Sequence, residues 1–287
     1  MTLFQILGLA VIQGAAELLP VSSSAHVIVA EKLMGLDPTA PEMTLLLVML
    51  HTGTMFAVIV YFWKSWKESF FASRKVFWES ARFIFAATLV TGIVGLVLKS
   101  LIEKIFMKDV PHAEIEQLFG NMNLISTALA AVGLLILYAG IRTRAAAGRD
   151  CAMDLKKSCY VGAIQGICLP FRGFSRSGAT ISTGLLLGIS RRKIEEFSFA
   201  LAVALTPPVI AREAMRLLHD KHDPSFSAAG LAGMFMPSIL GMVFSFFAGL
   251  LALKWLSSWL EVGRWHLFGI YCLAASAVVF ALHQSGF

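Results

Sequence analysis

Six long apolar runs leave this chain one solvent to fold in. Met43–Trp63, Phe83–Leu101, Leu124–Ile141, Phe197–Leu217, Leu231–Leu253 and Leu267–Leu282 each approach the roughly 20 residues a helix needs to cross a hydrocarbon core of about 30 Å. In hydrocarbon only helices and closed barrels satisfy every backbone polar group, and uninterrupted runs of this length read as helices. Only 15% of the 287 residues are charged, against roughly a quarter in a soluble domain. The sequence thus predicts an all-α polytopic membrane protein, one integral-membrane domain over 1–287, with the lipid bilayer as partner. The first apolar run lacks a basic flank and is interrupted by Gln13 and Glu17, so it does not read as a signal peptide. The net charge of +6 is accounted for by loop lysines and arginines. No basic stretch interleaved with aromatics suggests nucleic acid as a partner. Cys151, Cys159, Cys168 and Cys272 lack metal-ligand spacing and read as small apolar residues.

Two further apolar regions break in the middle. Leu3–Leu36 is interrupted by Pro20-Val21-Ser22-Ser23-Ser24-Ala25-His26, and Cys159–Ile189 by Pro170 and Gly173-Phe174-Ser175-Arg176-Ser177-Gly178-Ala179-Thr180. Each half is too short to cross alone, so each region reads as a re-entrant helical hairpin, a backbone tolerated only where it lines a protein cavity. The two regions resemble each other. Val11-Ile12-Gln13-Gly14 recurs as Ala163-Ile164-Gln165-Gly166, and Leu33-Met34-Gly35-Leu36 as Leu186-Leu187-Gly188-Ile189. Loop charges supply an independent test. The segments 64–82, 142–157, 191–193 and 254–264 hold fifteen lysines and arginines, whereas 99–121 and 212–226 hold three each. The positive-inside rule then places both termini outside, with one hairpin entering from each side. The expected architecture is about six transmembrane helices plus two re-entrant hairpins, related as an inverted-topology repeat with halves of about 1–145 and 150–287.

The polar residues at these breaks are the candidates for chemistry. Gln13 and Glu17 lie four apart, on one helix face. Glu17 is either a carboxylate reaching for the interface or a ligand for a divalent cation, Mg²⁺ or Ca²⁺. In the second case Gln13 adds a neutral oxygen and a phosphorylated substrate completes the shell. Ser22, Ser23 and Ser24 precede His26, a spacing that suits either helix capping or nucleophilic and general-base work. Arg172 and Arg176 flank Gly173 and Ser175, with Ser177 and Thr180 following. An arginine in hydrocarbon is a functional-site hypothesis by default. Beside a helix N-terminus it suits a fork-like grip on phosphate. An ion pair with Glu17 is the alternative, and it would draw the hairpins together. His51 either faces the same cavity or is a core histidine. His219, Asp220, His222 and Asp223 read as a solvated loop. Glu195 and Glu196 are expected to open the helix carrying Phe197, and Pro207-Pro208 to kink it.

Taken together, these motifs resemble those of the bacterial undecaprenyl-diphosphate phosphatases, the bacitracin-resistance family. That family carries Glu/Gln-Gly-x-x-Glu before Pro-Val-Ser-Ser and a histidine, here Gln13 to Glu17 and Pro20 to His26. Its second motif, Pro-Gly-x-Ser-Arg-Ser-Gly-x-Thr, corresponds to Arg172 through Thr180, and its Glu-Phe-Ser-Phe to Glu196 through Phe199. The resemblance implies hydrolysis of a polyprenyl (C55) diphosphate lipid to the monophosphate, which recycles the cell-wall lipid carrier at the bacterial inner membrane. It also implies a site open to the periplasm or exterior and a divalent cation. By position, Glu17 takes part in metal binding, Ser23 and His26 in the catalytic step and Arg176 in binding the diphosphate. Ser175, Ser177 and Thr180 line the phosphate pocket, with Ser22, Gly173 and His51 as further candidates. The first member of its motif is Gln13, a variant the family pattern allows, and the chain departs from the pattern in having Arg172 in place of proline. A rival reading is a transporter or flippase for polyprenyl phosphate lipids, which shares the architecture and needs only the basic pocket. The sequence is also compatible with a homodimer, although its polar residues point to no interface.

Overall fold

The computed structural model describes residues 1–106, 118, 120–145, 150–219, 228–260 and 264–286. Ten helices account for these residues: α1 (Leu3–Glu17), α2 (Ser23–Leu33), α3 (Pro41–Ser69), α4 (Arg74–Phe106), α5 (Met122–Ala145), α6 (Leu155–Cys168), α7 (Arg176–Leu186), α8 (Arg191–His219), α9 (Ala228–Leu260) and α10 (Trp265–Gln284). Six of them, α3, α4, α5, α8, α9 and α10, are long and apolar enough to cross a membrane. The protein is a multi-pass membrane protein. Asp220, His222 and Asp223, along with much of 99–121 and 212–226, lie outside the described residues.

The helices outrun the apolar stretches that announce them. α3 continues through Lys64 and Lys67 to Ser69, because the backbone ladder does not stop where the hydrocarbon does. Long basic side chains lie back along such helix ends, and the Lys67 ammonium sits 5.4 Å from the Trp63 ring centroid. α8 likewise begins at Arg191 and not beside Glu195. The two glutamates therefore do not occupy its first turn. Glu195 pairs with Arg191 at 2.6 Å, and buried Glu196 accepts from Ser65 at 2.5 Å and Ser69 at 2.7 Å, which ties α8 to α3.

The short helices are 15, 11, 14 and 11 residues long, and at 1.5 Å per residue even α1 reaches only about 22 Å. Side-chain caps set where they begin. Asp154 accepts from the Lys157 amide at the start of α6, and the same bond holds the exposed Asp154 carboxyl below its ordinary range. Helix lengths run 15, 11, 29, 33 and 24 from α1 to α5, then 14, 11, 29, 33 and 20 from α6 to α10.

Close backbone approach holds the bundle together, as it must where lipid is as apolar as leucine. A Cβ on Gly14 of α1 would lie 2.5 Å from the Ala248 Cβ and 2.7 Å from the Gly249 amide of α9. Gly162 lets α6 meet Ala87 of α4 in the same way, and there the Thr91 hydroxyl donates to the Gly162 carbonyl at 2.9 Å. Ser245 donates to the Leu50 carbonyl at 2.9 Å between α9 and α3, and Ser276 to the Ser126 carbonyl at 2.7 Å between α10 and α5. Thr91 and Ser245 also reach carbonyls of their own helices, so these hydroxyls are shared between neighbours.

Candidate functional site

The two broken regions meet tip to tip. Ser177, in the first turn of α7, donates to the Leu19 carbonyl at 3.4 Å, and Gly178 packs close to the Pro20 carbonyl. Both helices beyond the breaks are capped by serine. The Ser22 hydroxyl accepts from the Ala25 amide at the start of α2, and Ser175 from the Gly178 amide at 3.1 Å at the start of α7. The first residue of α2 is therefore Ser23 and the first of α7 is Arg176, so the two matching regions deliver a hydroxyl and a cation to one place. The breaks need unusual backbone to do this. Ser22 has φ +67°, rare for a residue with a Cβ, and Gly173 has φ +100°. A side chain on Gly173 would also collide with the Ile125 carbonyl at 2.6 Å.

Glu17 is the hub. One carboxylate oxygen accepts from the Ser23 hydroxyl at 2.6 Å and from the Gln13 amide at 2.9 Å. The other accepts from the Arg176 guanidinium at 2.9 Å. His51 of α3 places Nε2 at 3.4 Å from the same carboxylate while its Nδ1 donates to the Leu47 carbonyl at 2.8 Å. The ion pair weighed as the alternative for Arg176 is present, and it joins α1 to α7. Arg176 also donates to the Ser198 carbonyl of α8 at 3.3 Å, and Thr180 is 2.6 Å from the Ser198 hydroxyl.

These groups surround a cavity of about 330 Å³. Glu17, Ser22, Ser23, His51, Arg172, Ser175, Arg176 and Ser177 line it, and its remaining wall is mostly apolar, with Ser24, Thr44, Thr54 and Thr206 interspersed, and comes mainly from α3 and α8. Among the residues singled out from sequence, Gln13, His26, Gly173 and Thr180 do not line it. Gln13 is buried behind Glu17, Gly173 turns the chain, and Thr180 holds α8. His26 points elsewhere: its Nδ1 lies 2.8 Å from the Ser22 carbonyl and its Nε2 lies 2.7 Å from the Tyr271 hydroxyl of α10. A carbonyl only accepts, so Nδ1 carries the proton and Nε2 accepts from tyrosine. Both ring nitrogens are thus committed away from Ser23, and the carboxylate of Glu17 occupies the place a base for that hydroxyl would take. Thr54, which lines the cavity and accepts from the Gln13 amide at 3.5 Å, and Tyr271 escaped sequence reading because their roles are set by neighbours distant in the chain; Ser198 stood within the Glu-Phe-Ser-Phe motif with no role attached.

For a divalent cation the chain offers Glu17, the nearby serine hydroxyls and Gln13. Among the described residues there is no group of three or more His, Cys, Asp or Glu able to hold a metal. Oε1 of Gln13, however, is buried without a hydrogen-bond partner next to Glu17. The Gln13 amide presents its N–H to Glu17, so a hard ion shared by the two would require that amide to turn its unpartnered oxygen toward the carboxylate, with substrate phosphate oxygens and water supplying the rest of the shell.

A family model described as bacitracin resistance protein BacA matches residues 6–278. The chain is 60% identical over 283 residues to undecaprenyl-diphosphatase 2 of Acinetobacter baylyi, with 98% of each chain covered. It is 30% identical to undecaprenyl-diphosphatase of Korarchaeum cryptofilum, over 98% of this chain and 100% of the relative. It is 33% identical to undecaprenyl-diphosphatase 2 of Burkholderia thailandensis, over 96% of this chain and 95% of the relative.

Proposed function

The chain belongs to the bacitracin resistance protein BacA family, and from that membership we propose that it is an undecaprenyl-diphosphate phosphatase. It releases the terminal phosphate of the lipid diphosphate and leaves the monophosphate. The observation that carries this reading is the 2.6 Å hydrogen bond from the Ser23 hydroxyl to Glu17, inside a cavity that also presents Arg172 and Arg176. A hydroxyl held by a carboxylate beside cations is an activated nucleophile with its charge stabilisers in place. A lipid carrier needs the basic pocket but not the hydroxyl–carboxylate pair, and the names of the relatives favour hydrolysis.

In the proposed mechanism the Ser23 Oγ attacks the terminal phosphorus. The Oγ–P bond forms, the bond from phosphorus to the bridging oxygen breaks, and the lipid monophosphate leaves. Glu17 accepts the serine proton and passes it to the leaving oxygen. Water then attacks the phosphoserine, the P–Oγ bond breaks, and a proton from the water restores the hydroxyl. Phosphoryl transfer has a loose transition state, so most of the catalysis comes from positioning and charge. Arg172, Arg176 and the free amides at the starts of α2 and α7 serve that end. A divalent cation held at Glu17 and Gln13 would offset charge on the phosphate oxygens. His26 braces the left-handed Ser22 in this scheme and is not the base. The apolar wall between α3 and α8 fits a prenyl chain.

The repeated order of helix lengths supports an inverted repeat whose two halves each contribute one short-helix pair to the cavity. The loop charges support termini on the outer side, and membership of the family supports an exterior or periplasmic opening in the bacterial inner membrane. Purified protein in detergent is expected to release phosphate from undecaprenyl diphosphate with Mg²⁺ or Ca²⁺ present, and to lose most of that activity to chelator. No release from folded protein with cation would return the reading to a carrier. His26→Ala is expected to lower kcat about tenfold, below the roughly 10²–10⁴ that loss of a general base brings. Tyr271→Phe should have a smaller effect of the same kind. A fall of 10³ or more for His26→Ala would make His26 the base.

A further inference from the structure

A second cavity, of about 450 Å³, lies between α3, α4 and α8. Trp66, Phe70 and Phe71 of α3 line it together with Phe77 and Thr88 of α4, and Val203 of α8 is the single lining residue it shares with the cavity that holds Glu17. Aromatic rings frame it: Phe71 and Phe77 stack at 5.5 Å, and the Trp66 and Phe70 centroids lie 6.2 Å apart. A slot this apolar suits hydrocarbon, but one group in it asks for more. Trp66 is 6% exposed, and its indole N–H is buried without an acceptor. That group can only donate, and a buried donor left unpaired is costly. Tryptophans near a membrane interface ordinarily give this N–H to water or to the headgroup region. Burial denies Trp66 the water.

Charge is the second observation. Lys67 stands one turn from Phe71, and Arg74 one turn before Phe77, so each continues a helix face that lines the groove. Both are exposed. Across 64–82 these two, with Lys64, Lys75 and Arg82, outnumber the acids Glu68 and Glu79. From Phe77 the groove continues to Thr88, about 16 Å along α4. Cations at the mouth, a lone donor just inside and a long apolar slot beyond match the order of parts in a phospholipid. We propose that this groove binds one acyl chain of an anionic glycerophospholipid, with its phosphate at Lys67 and Arg74 and an ester carbonyl accepting from the Trp66 indole. By the loop charges the site belongs to the cytoplasmic leaflet, where anionic lipid creates a negative surface. The prenyl chain of a polyprenyl diphosphate fits less well, because it is hydrocarbon throughout and would leave the indole unsatisfied. The site stands apart from the phosphatase reading, and its test needs no turnover.

Native mass spectrometry of the full chain in detergent, titrated with dioleoyl phosphatidylglycerol or dioleoyl phosphatidylcholine, reads the first lipid bound. Phosphatidylglycerol is expected to bind about tenfold tighter, and Lys67→Gln with Arg74→Gln, two surface changes that spare the core, to bring it down to the phosphatidylcholine level. Trp66→Phe keeps a ring in the groove but removes the N–H, and should weaken both lipids about fivefold. Thr88 also has a buried hydroxyl oxygen without a partner, but far below the depth of the esters, so Thr88→Val should leave both affinities unchanged. Equal affinities for the two lipids, or wild-type affinity in Trp66→Phe, would overturn the proposal. So would a loss from Thr88→Val matching that from Trp66→Phe, since these phospholipids carry no acceptor so deep. Undecaprenyl phosphate displacing phosphatidylglycerol one for one would give the groove to the prenyl chain instead.

Discussion

Replacing Ser23 with alanine is expected to lower kcat for phosphate release by at least about 10³-fold, with KM changed less than about threefold. Ser23 is almost fully buried at the first position of α2, and its hydroxyl donates to Glu17 at 2.6 Å. Alanine removes the attacking oxygen but leaves Glu17 its contacts with Gln13 and Arg176, so the cavity should keep its shape and its charge. Neighbouring serines provide the contrast. Ser22 caps α2, and losing a cap costs about 1 kcal/mol of helix stability, which should appear in thermal melting before it appears in turnover. Steady-state kinetics on the Ser22 and Ser23 variants, together with a search for phosphate retained on wild-type protein after acid quench, make the check. A Ser23→Ala enzyme within tenfold of wild type would remove serine as the nucleophile and leave water, activated beside Glu17, as the attacking species.

Much of this architecture is written in period and length, and the sequence shows it plainly. The six apolar runs became six helices long enough to cross, because nothing but a helix satisfies such a run in lipid. The serine-rich breaks became helix starts, because Ser22 and Ser175 are good caps wherever the chain turns. Partner choice is harder to read. Glu17 lies four positions from Gln13, yet Arg176 is 159 positions away, and only the meeting of the starts of α2 and α7 joins them. His26 illustrates the limit. Its spacing from Ser23 looks like a nucleophile and its base, but one turn of helix aims the ring back at the Ser22 carbonyl and out to Tyr271. Glu31 was invisible for a similar reason: a lone acid near a helix end looks solvated, yet the folded protein leaves it 1% exposed.

Arg176→Ala should produce the second large effect, on stability as well as on turnover. In wild-type protein the guanidinium bridges Glu17 at 2.9 Å and the Ser198 carbonyl at 3.3 Å, with its side chain 21% exposed. Removing it strands a carboxylate in an apolar bundle, a change that costs about 3–5 kcal/mol in buried pairs. The same change removes the cation placed to meet the diphosphate. The two losses separate in the double variant Glu17→Gln with Arg176→Ala, which buries no unpaired charge. Its melting temperature in detergent should return most of the way to wild type while phosphate release stays absent. Arg176→Lys should retain more stability than alanine yet raise KM steeply, since an ammonium on a flexible stem cannot hold Glu17, Ser198 and a phosphate in one plane. An Arg176→Ala protein that melts with wild type would mean that Glu17 finds other compensation in the cavity. Arg176 would then be free to serve the substrate alone, and the ion pair would describe only the resting site.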